Sequence, residues 1–163
     1  MTDPDAPQVV TAITIALATK LPMRPVERVH AEAGAGLVGD RYHGSRHRHV
    51  SVQSASELAE SAELLGAPVP HDRTRRNITL SHGAVAKRPG TRVRVGGAVL
   101  EVVRPAPPCR LMDDAVGPGA ARAMHDRGGS ILRVLESGEI AVGDVWRELE
   151  PDLGADLAAG ATT

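Results

Sequence analysis

The segment Thr91-Arg-Val-Arg-Val-Gly96-Gly97-Ala-Val-Leu-Glu-Val-Val103 constrains the fold more than any other stretch of the chain. Val93 and Val95 alternate with Arg92 and Arg94, the two-residue period of a strand with one covered face. Gly96 and Gly97 permit the positive φ angles of a two-residue turn, so a β-hairpin is expected here. Immediately downstream, Pro105-Ala-Pro-Pro-Cys109 cannot continue a central strand, because three prolines remove three amide donors.

Other segments carry the same kind of signal. Val9 to Leu17 is rich in Val, Ile and Thr, Val26 to Val29 begins a second extended run, and His49-Val-Ser-Val-Gln53 alternates as a strand does. Ile131 to Leu135 and Val142 to Leu149 read as further strands, separated by a turn at Ser137-Gly138. One helix is expected after Ser54 or Ser56, either of which can cap it. Leu58, Ala62 and Leu65 would share its apolar face, Glu57, Glu60 and Glu63 would lie outside, and Gly66 and Pro68 would end it. Many short strands with Gly and Pro turns and one or two helices predict a mainly β barrel or sandwich. The 163 residues suit one domain. Residues 1–7 and 151–163 read as flexible tails around a folded body at 8–150, in which no linker or repeat is visible.

Composition removes several function classes. The single Cys excludes an internal disulfide and a zinc site built from several thiolates. One Trp, one Tyr and no Phe tell against stacking on single-stranded nucleic acid. A net charge of −1 gives no global attraction to nucleic acid or a membrane surface. The start of the chain, Met1 to Gln8, has two Asp and no basic residue, and the apolar stretch Val9 to Ala18 is too short to span a bilayer. A soluble cytoplasmic protein is the resulting expectation.

Cys109 is the first chemical candidate. It sits in a proline-rich loop after a hairpin strand, with Arg110 beside it and Arg104 nearby, and cationic neighbours favour the reactive thiolate. Its bland alternative is a small buried hydrophobe. The second candidate is Arg73-Thr-Arg75-Arg76-Asn77-Ile78-Thr79. Between Arg73 and Val95 stand seven basic residues and no acidic one, a supply of planar phosphate donors or else the solvated face of a strand. His43, His47 and His49 are interrupted by Arg46 and Arg48, which repel a cation, so a polar loop over an anion pocket is expected rather than a metal site. Asp40 and Asp144 each follow a Gly and read as turn residues whose carboxylates bond their own backbone. Gly34-Ala-Gly36-Leu-Val-Gly39 fits a dinucleotide fingerprint in spacing, but it leads into a polar loop and not a helix, so that reading is rejected.

Taken in order, five blocks resemble the MOSC family, the domain found at the C-terminus of molybdenum cofactor sulfurases. They are Gly36-Leu-Val-Gly39-Asp40; His49-Val-Ser-Val with its following helix; Arg75-Arg76-Asn77-Ile78; Gly90-Thr-Arg-Val-Arg-Val-Gly96 through Pro108-Cys109; and Arg127-Gly128-Gly129 through Gly138-Glu-Ile-Ala-Val-Gly143-Asp144. Together they span about residues 10–147, and the chain looks like a small stand-alone bacterial member.

The resemblance implies an antiparallel β-barrel of the MOSC type with one to three short helices. It makes Cys109 the functional thiol, either a persulfide-bearing sulfur carrier or a molybdenum ligand as in amidoxime-reducing members. It also assigns Arg75, Arg76, Asn77, Arg110 and Arg127 to the binding of molybdenum cofactor (molybdopterin) and its phosphate. No resident pyridoxal phosphate is expected, because Lys20 and Lys87 are the only lysines and no large cofactor domain fits. Nor is there a cysteine cluster for electron transfer. Sulfur would come from an external donor, and electrons for reducing N-hydroxylated compounds from a partner. The alternative from another class is a non-catalytic barrel binding an anionic ligand or a protein partner, with a structural cysteine. Neither nucleic acid nor membrane is expected as a partner.

Overall fold

The structure is a computed structural model that describes residues 3, 5–107 and 110–151; Cys109, the side chains of Arg110 and Leu111, and residues 152–163 of the tail expected at 151–163 lie outside the described residues. The strands are β1 (Gln8–Ile15), β2 (Arg24–Val26), β3 (Arg28–Glu32), β4 (Gly36–Leu37), β5 (Val50–Ser54), β6 (Ile78–Leu80), β7 (Arg92–Val95), β8 (Ala98–Pro105), β9 (Ser130–Glu136), β10 (Gly138–Ala141) and β11 (Val145–Glu148). Three helices accompany them among the described residues: α1 (Ala55–Leu65), α2 (Arg110–Ala115) and α3 (Ala120–Ala123).

Seven strands close into a barrel in the order β1-β11-β7-β8-β9-β5-β6, with β6 returning to β1. Closure leaves these strands without a free edge, which removes the usual route to edge-to-edge association. The barrel is mixed. β5 and β6 run parallel, Val52 opposite Ile78 and Ser54 opposite Leu80, while the other barrel pairs are antiparallel. The helix predicted after Ser54 is the reason: α1 carries the chain back along the barrel, and a parallel pair needs such a crossover.

The hairpin is formed as its sequence predicts. Val93 and Val95 of β7 are fully buried, their arginine neighbours point outward, and Val95 pairs with Ala98 across Gly96-Gly97. Only Gly96 takes a positive φ, 56°, so the glycine at the first turn position carries the reversal. β8 stops at Pro105, where the amide donors run out. The run Val142 to Leu149 contributes a shorter strand than expected, β11, because Gly143 and Asp144 form a turn. The preceding Gly138–Ala141 forms β10, a strand that its glycine had hidden.

β10 leaves the barrel and pairs with β3, which pairs with β4, making a small antiparallel sheet against the barrel wall. The join is tight. A methyl group on Gly138 would lie 2.1 Å from the Gly97 carbonyl carbon, so the hairpin turn and β10 meet backbone to backbone.

The helices build a second, smaller core of Leu58, Val69, Met112, Ala120 and Met124. Ser54 caps α1 by accepting the Ser56 N–H, and Gly66 ends it with a φ of 75°. Glu57, expected on the outside of α1, is 5% exposed. Its carboxylate accepts the Val85 N–H at 2.9 Å and Lys87 Nζ at 3.2 Å, the partners that let a charge be buried there. Among the described residues no helix is long and apolar enough to cross a membrane.

Candidate functional site

The basic stretch before β6 begins on the surface at Arg73 and ends inside at Arg76 and Asn77. Arg76 is 4% exposed and Asn77 2%. Asn77 Oδ1 accepts the N–H and the hydroxyl of Ser51, and its amide donates to the Thr14 carbonyl at 3.1 Å. The side chain therefore ties β6 to β5 and β1 from within the barrel wall. The same logic explains why β5 is buried along its whole length. Val50 and Val52 face the barrel core, while Ser51 and Gln53 point into a hydrogen-bonded layer shared with Asn77, Thr74 and Thr79. Alternation in the sequence marked the strand; it did not show that the polar side would also be covered.

Arg76 turns the other way. Its Nε donates to the Gly128 carbonyl at 3.0 Å. The next carbonyl, that of Gly129, accepts the N–H of Ala106 at 2.9 Å. Ala106 stands three residues before Cys109, so the root of the cysteine loop, the Arg127-Gly128-Gly129 turn and the Arg75-Arg76 segment meet in one place. Gly129 is indispensable to that meeting. Its φ is 85°, and a Cβ would lie 1.8 Å from the Val52 carbonyl oxygen. Arg127 itself donates from Nε to Glu60 on α1 at 3.1 Å and from Nη1 to the His125 carbonyl at 3.2 Å.

Arg75 has a φ of 60°, unusual for a residue with a side chain, and its Nη2 donates to the Thr19 carbonyl at 2.8 Å. Its carbonyl accepts Arg41 Nη2 at 3.2 Å. Burial, and then the charge of Arg41, pull the Arg75 guanidinium below its ordinary value. Arg41 is almost fully buried and pairs with Asp40 at 3.3 Å. Asp40 does bond its own turn, accepting the Tyr42 N–H, but it also accepts the Ala16 N–H at the end of β1. Asp144 likewise accepts the Ala141 N–H at its turn.

The histidine loop is divided among separate tasks. His43 pairs with Glu32 at 2.8 Å. His49 is buried between the Ser45 carbonyl, 2.7 Å from Nε2, and the Val134 N–H, 3.0 Å from Nδ1. Those partners fix the neutral ring with its proton on Nε2. Burial, the largest cause, lowers the His49 pKa, and Arg133 adds to the effect against the opposing Ser45 hydrogen bond. Among the described residues no three His, Cys, Asp or Glu side chains converge as a metal site.

The family model for the MOSC domain matches residues 39–147, more than half of the chain. The chain belongs to the MOSC domain family. Solved structures share its architecture at low identity. The YuaD protein from Bacillus subtilis is 18% identical with a TM-score of 0.77, over 88% of this chain and 97% of that one. YiiM from Geobacillus stearothermophilus is 20% identical with a TM-score of 0.72, over 91% and 78%. YiiM from Escherichia coli is 15% identical with a TM-score of 0.65, over 88% and 70%. At these identities the likeness speaks for the fold. Comparison with curated protein sequences finds no match.

Sequence reasoning missed two residues that border the candidate site. Glu57 and Lys87 lie beside the 126–129 turn, and nothing in their local pattern distinguished them from surface charges. The absence of any other lysine between Lys20 and the C-terminus was the one available signal for Lys87.

Proposed function

We propose that this MOSC protein binds molybdenum cofactor, or carries sulfur for such a centre, through Cys109. The carrying observation is the pair of hydrogen bonds, one from the Arg76 side chain to the Gly128 carbonyl and one from the Ala106 N–H to the Gly129 carbonyl, since they gather the family's arginine segment, its glycine turn and the root of its cysteine loop. A thiolate suits both roles, as a soft metal ligand and as a sulfur nucleophile.

The residues also suit an anionic pterin phosphate. Arg41 donates to the Arg75 carbonyl. Burial and the Arg41 charge pull the Arg75 guanidinium below its ordinary value against the opposing pull of Tyr42 and Asp40, so an anion beside the two arginines would be favoured. Arg75 and Arg127 would take the phosphate, Arg76 and Asn77 would hold the turn and wall behind it, and Arg110 would stand next to the thiol. When bound, the molybdenum centre supplies two-electron redox chemistry. Electrons, or sulfur, would arrive from a separate protein, and reduction of N-hydroxylated compounds is the enzymatic version of this reading.

Native mass spectrometry after expression in a cofactor-producing host tests it. Stoichiometric molybdenum that disappears in Cys109→Ser supports cofactor binding. One added sulfur on Cys109 without metal supports the carrier. Neither species, together with a thiol that resists alkylation in the native protein, overturns both and leaves a non-catalytic barrel for an anionic ligand or protein partner.

A further inference from the structure

We propose that the loop from Asp40 to His49 forms an oxyanion site around Tyr42, with Arg48 as its donor and a phosphate or phosphate monoester as its ligand. The site is separate from the reading of Cys109 and does not need it. Between Arg41 and Ser56 the chain has three arginines, three histidines and no acidic residue. The guanidinium carbons of Arg41 and Arg48 each lie 4.6 Å from the centroid of the Tyr42 ring, so the chain's one tyrosine gathers two like charges. The ring quadrupole steadies each cation but neutralises neither. The Nε–H of Arg48 is buried and finds no acceptor among the described residues. A buried donor without a partner is costly, and an oxyanion supplies the charge-assisted acceptor that it lacks.

The loop is held in shape before any ligand arrives. The Asp40 side chain is fully buried and accepts the N–H groups of Ala16 and Tyr42. The Ser45 N–H donates to the Tyr42 carbonyl, the Arg48 N–H to the Ser45 hydroxyl, and His49 Nε2 to the Ser45 carbonyl. Arg41, its side chain 4% exposed, directs Nη1 to the Met23 sulfur and Asp40 and Nη2 to the Arg75 carbonyl, so it contributes fixed charge. Arg75 is the third guanidinium. Burial and then Arg41 disfavour its charge, while Tyr42 and Asp40 favour it, which places all three residues within electrostatic reach of it. Beside these three cations stands one buried carboxylate, Asp40, among the described residues; Glu32 is taken by His43 at 2.8 Å. Two uncompensated positive charges match a phosphate dianion better than a carboxylate monoanion.

The test titrates the full chain with inorganic phosphate at constant ionic strength and follows the arginine Nε–H resonances by nitrogen-edited NMR, that of Arg48 being assigned by its loss in Arg48→Gln. The Arg48 resonance should shift along a saturating curve, while that of Arg94, exposed on β7, stays in place. Calorimetry should find phosphate binding weakened on the order of tenfold in Arg48→Gln. Tyr42→Leu, which keeps both cations but removes the ring that gathers them, should weaken it about threefold. An Arg48 resonance that does not move, or a shift that never saturates, overturns the site, and so does equal binding by Arg48→Gln and the wild type. Acetate should bind on the order of tenfold more weakly than phosphate. Equal affinity for the two overturns the assignment to a phosphate. Should Arg48→Gln fail to fold, Arg48→Lys takes its place: it keeps the charge but lacks the Nε–H, and undiminished phosphate binding overturns the proposal in the same way. Cys109 takes part in none of these measurements, so the proposed function stands or falls on its own test.

Discussion

The barrel and the helical annex beside it are held together by different physics. In the barrel, Ile13, Ile78, Leu80, Val93, Leu100 and Leu132 share one continuous apolar core, and each wall strand has a neighbour on both sides. Among the described residues the annex has a core of five buried side chains, α2 and α3 are six and four residues long, and Asp113 caps α3 by accepting the Ala121 N–H. Helices that short are not stable alone. They keep their place by packing on α1 in that small core, while polar clamps tie α1 and the 126–129 turn to their surroundings: Glu57 with Lys87, Glu60 with Arg127 and Arg76 with Gly128. The candidate site lies where the two regions touch. The barrel wall thus supplies Arg76, and the Arg127-Gly128-Gly129 turn joins it to the annex.

The sharpest way to break this arrangement is at the seam. Gly129→Ala combines a left-handed φ with a Cβ 1.8 Å from the Val52 oxygen. Backbone strain and overpacking together should cost roughly 3–5 kcal/mol, read as a fall in the denaturant midpoint or in soluble yield. Near-wild-type stability would mean that the turn does not lie against β5. Next in size is a matched pair of truncations. Leu132→Ala in the barrel should cost about 3–4 kcal/mol and lower protection in every barrel strand. Met124→Ala, equally buried, should cost nearer 2 kcal/mol, since a small core can collapse around the gap. Its effect on hydrogen exchange should be confined to α1, α2 and α3. Equal and global effects from the two would erase the distinction between the regions.

Asn77 tests the wall itself. Asn77→Ala strips partners from the Ser51 N–H and the Thr14 carbonyl in a site closed to water, a loss of about 3 kcal/mol. A solvated asparagine would cost less than about 0.5 kcal/mol. Thermal melts of the two proteins separate these outcomes directly.

The same residue marks how far the sequence could be read. Periodicity revealed the hairpin, β1, β5 and the start of α1, because each of those signals is local: alternation, a glycine pair, a serine cap. The MOSC pattern then supplied the barrel. Closure through β1 and β11 was not visible, since it depends on a pairing of Val9 with Val145 across nearly the whole chain. Burial of charge was equally hidden. Glu57 follows the spacing of an outward helix position, and only the 85–87 loop, folded over it from elsewhere, turns it into an internal partner. Arg76 and Asn77 read as candidate ligand contacts from their chemistry. The fold shows them serving the wall and the glycine turn, a role that no local pattern encodes.

The smallest expected effect concerns pH and should act on the barrel side alone. His49 is neutral in the fold, with Nδ1 accepting the Val134 N–H and Nε2–H donating to Ser45. Protonating Nδ1 would set a donor against a donor and add a charge near Arg133, His47 and His43. The folded pKa is therefore below the ordinary 6.5, and just below that pH the unfolded chain binds more protons than the folded one. The contribution of His49 to stability is fully present above pH 6.5 and is lost as pH falls through the folded value. Melting temperatures between pH 8 and pH 5 should consequently drop more steeply for the wild type than for His49→Gln, whose amide can still bridge Ser45 and Val134 without titrating. Parallel curves would show that the ring does not control this junction. A drop accompanied by loosening of α2 and α3 would instead show that the loop before β5 communicates with the annex, and the two regions would have to be treated as one.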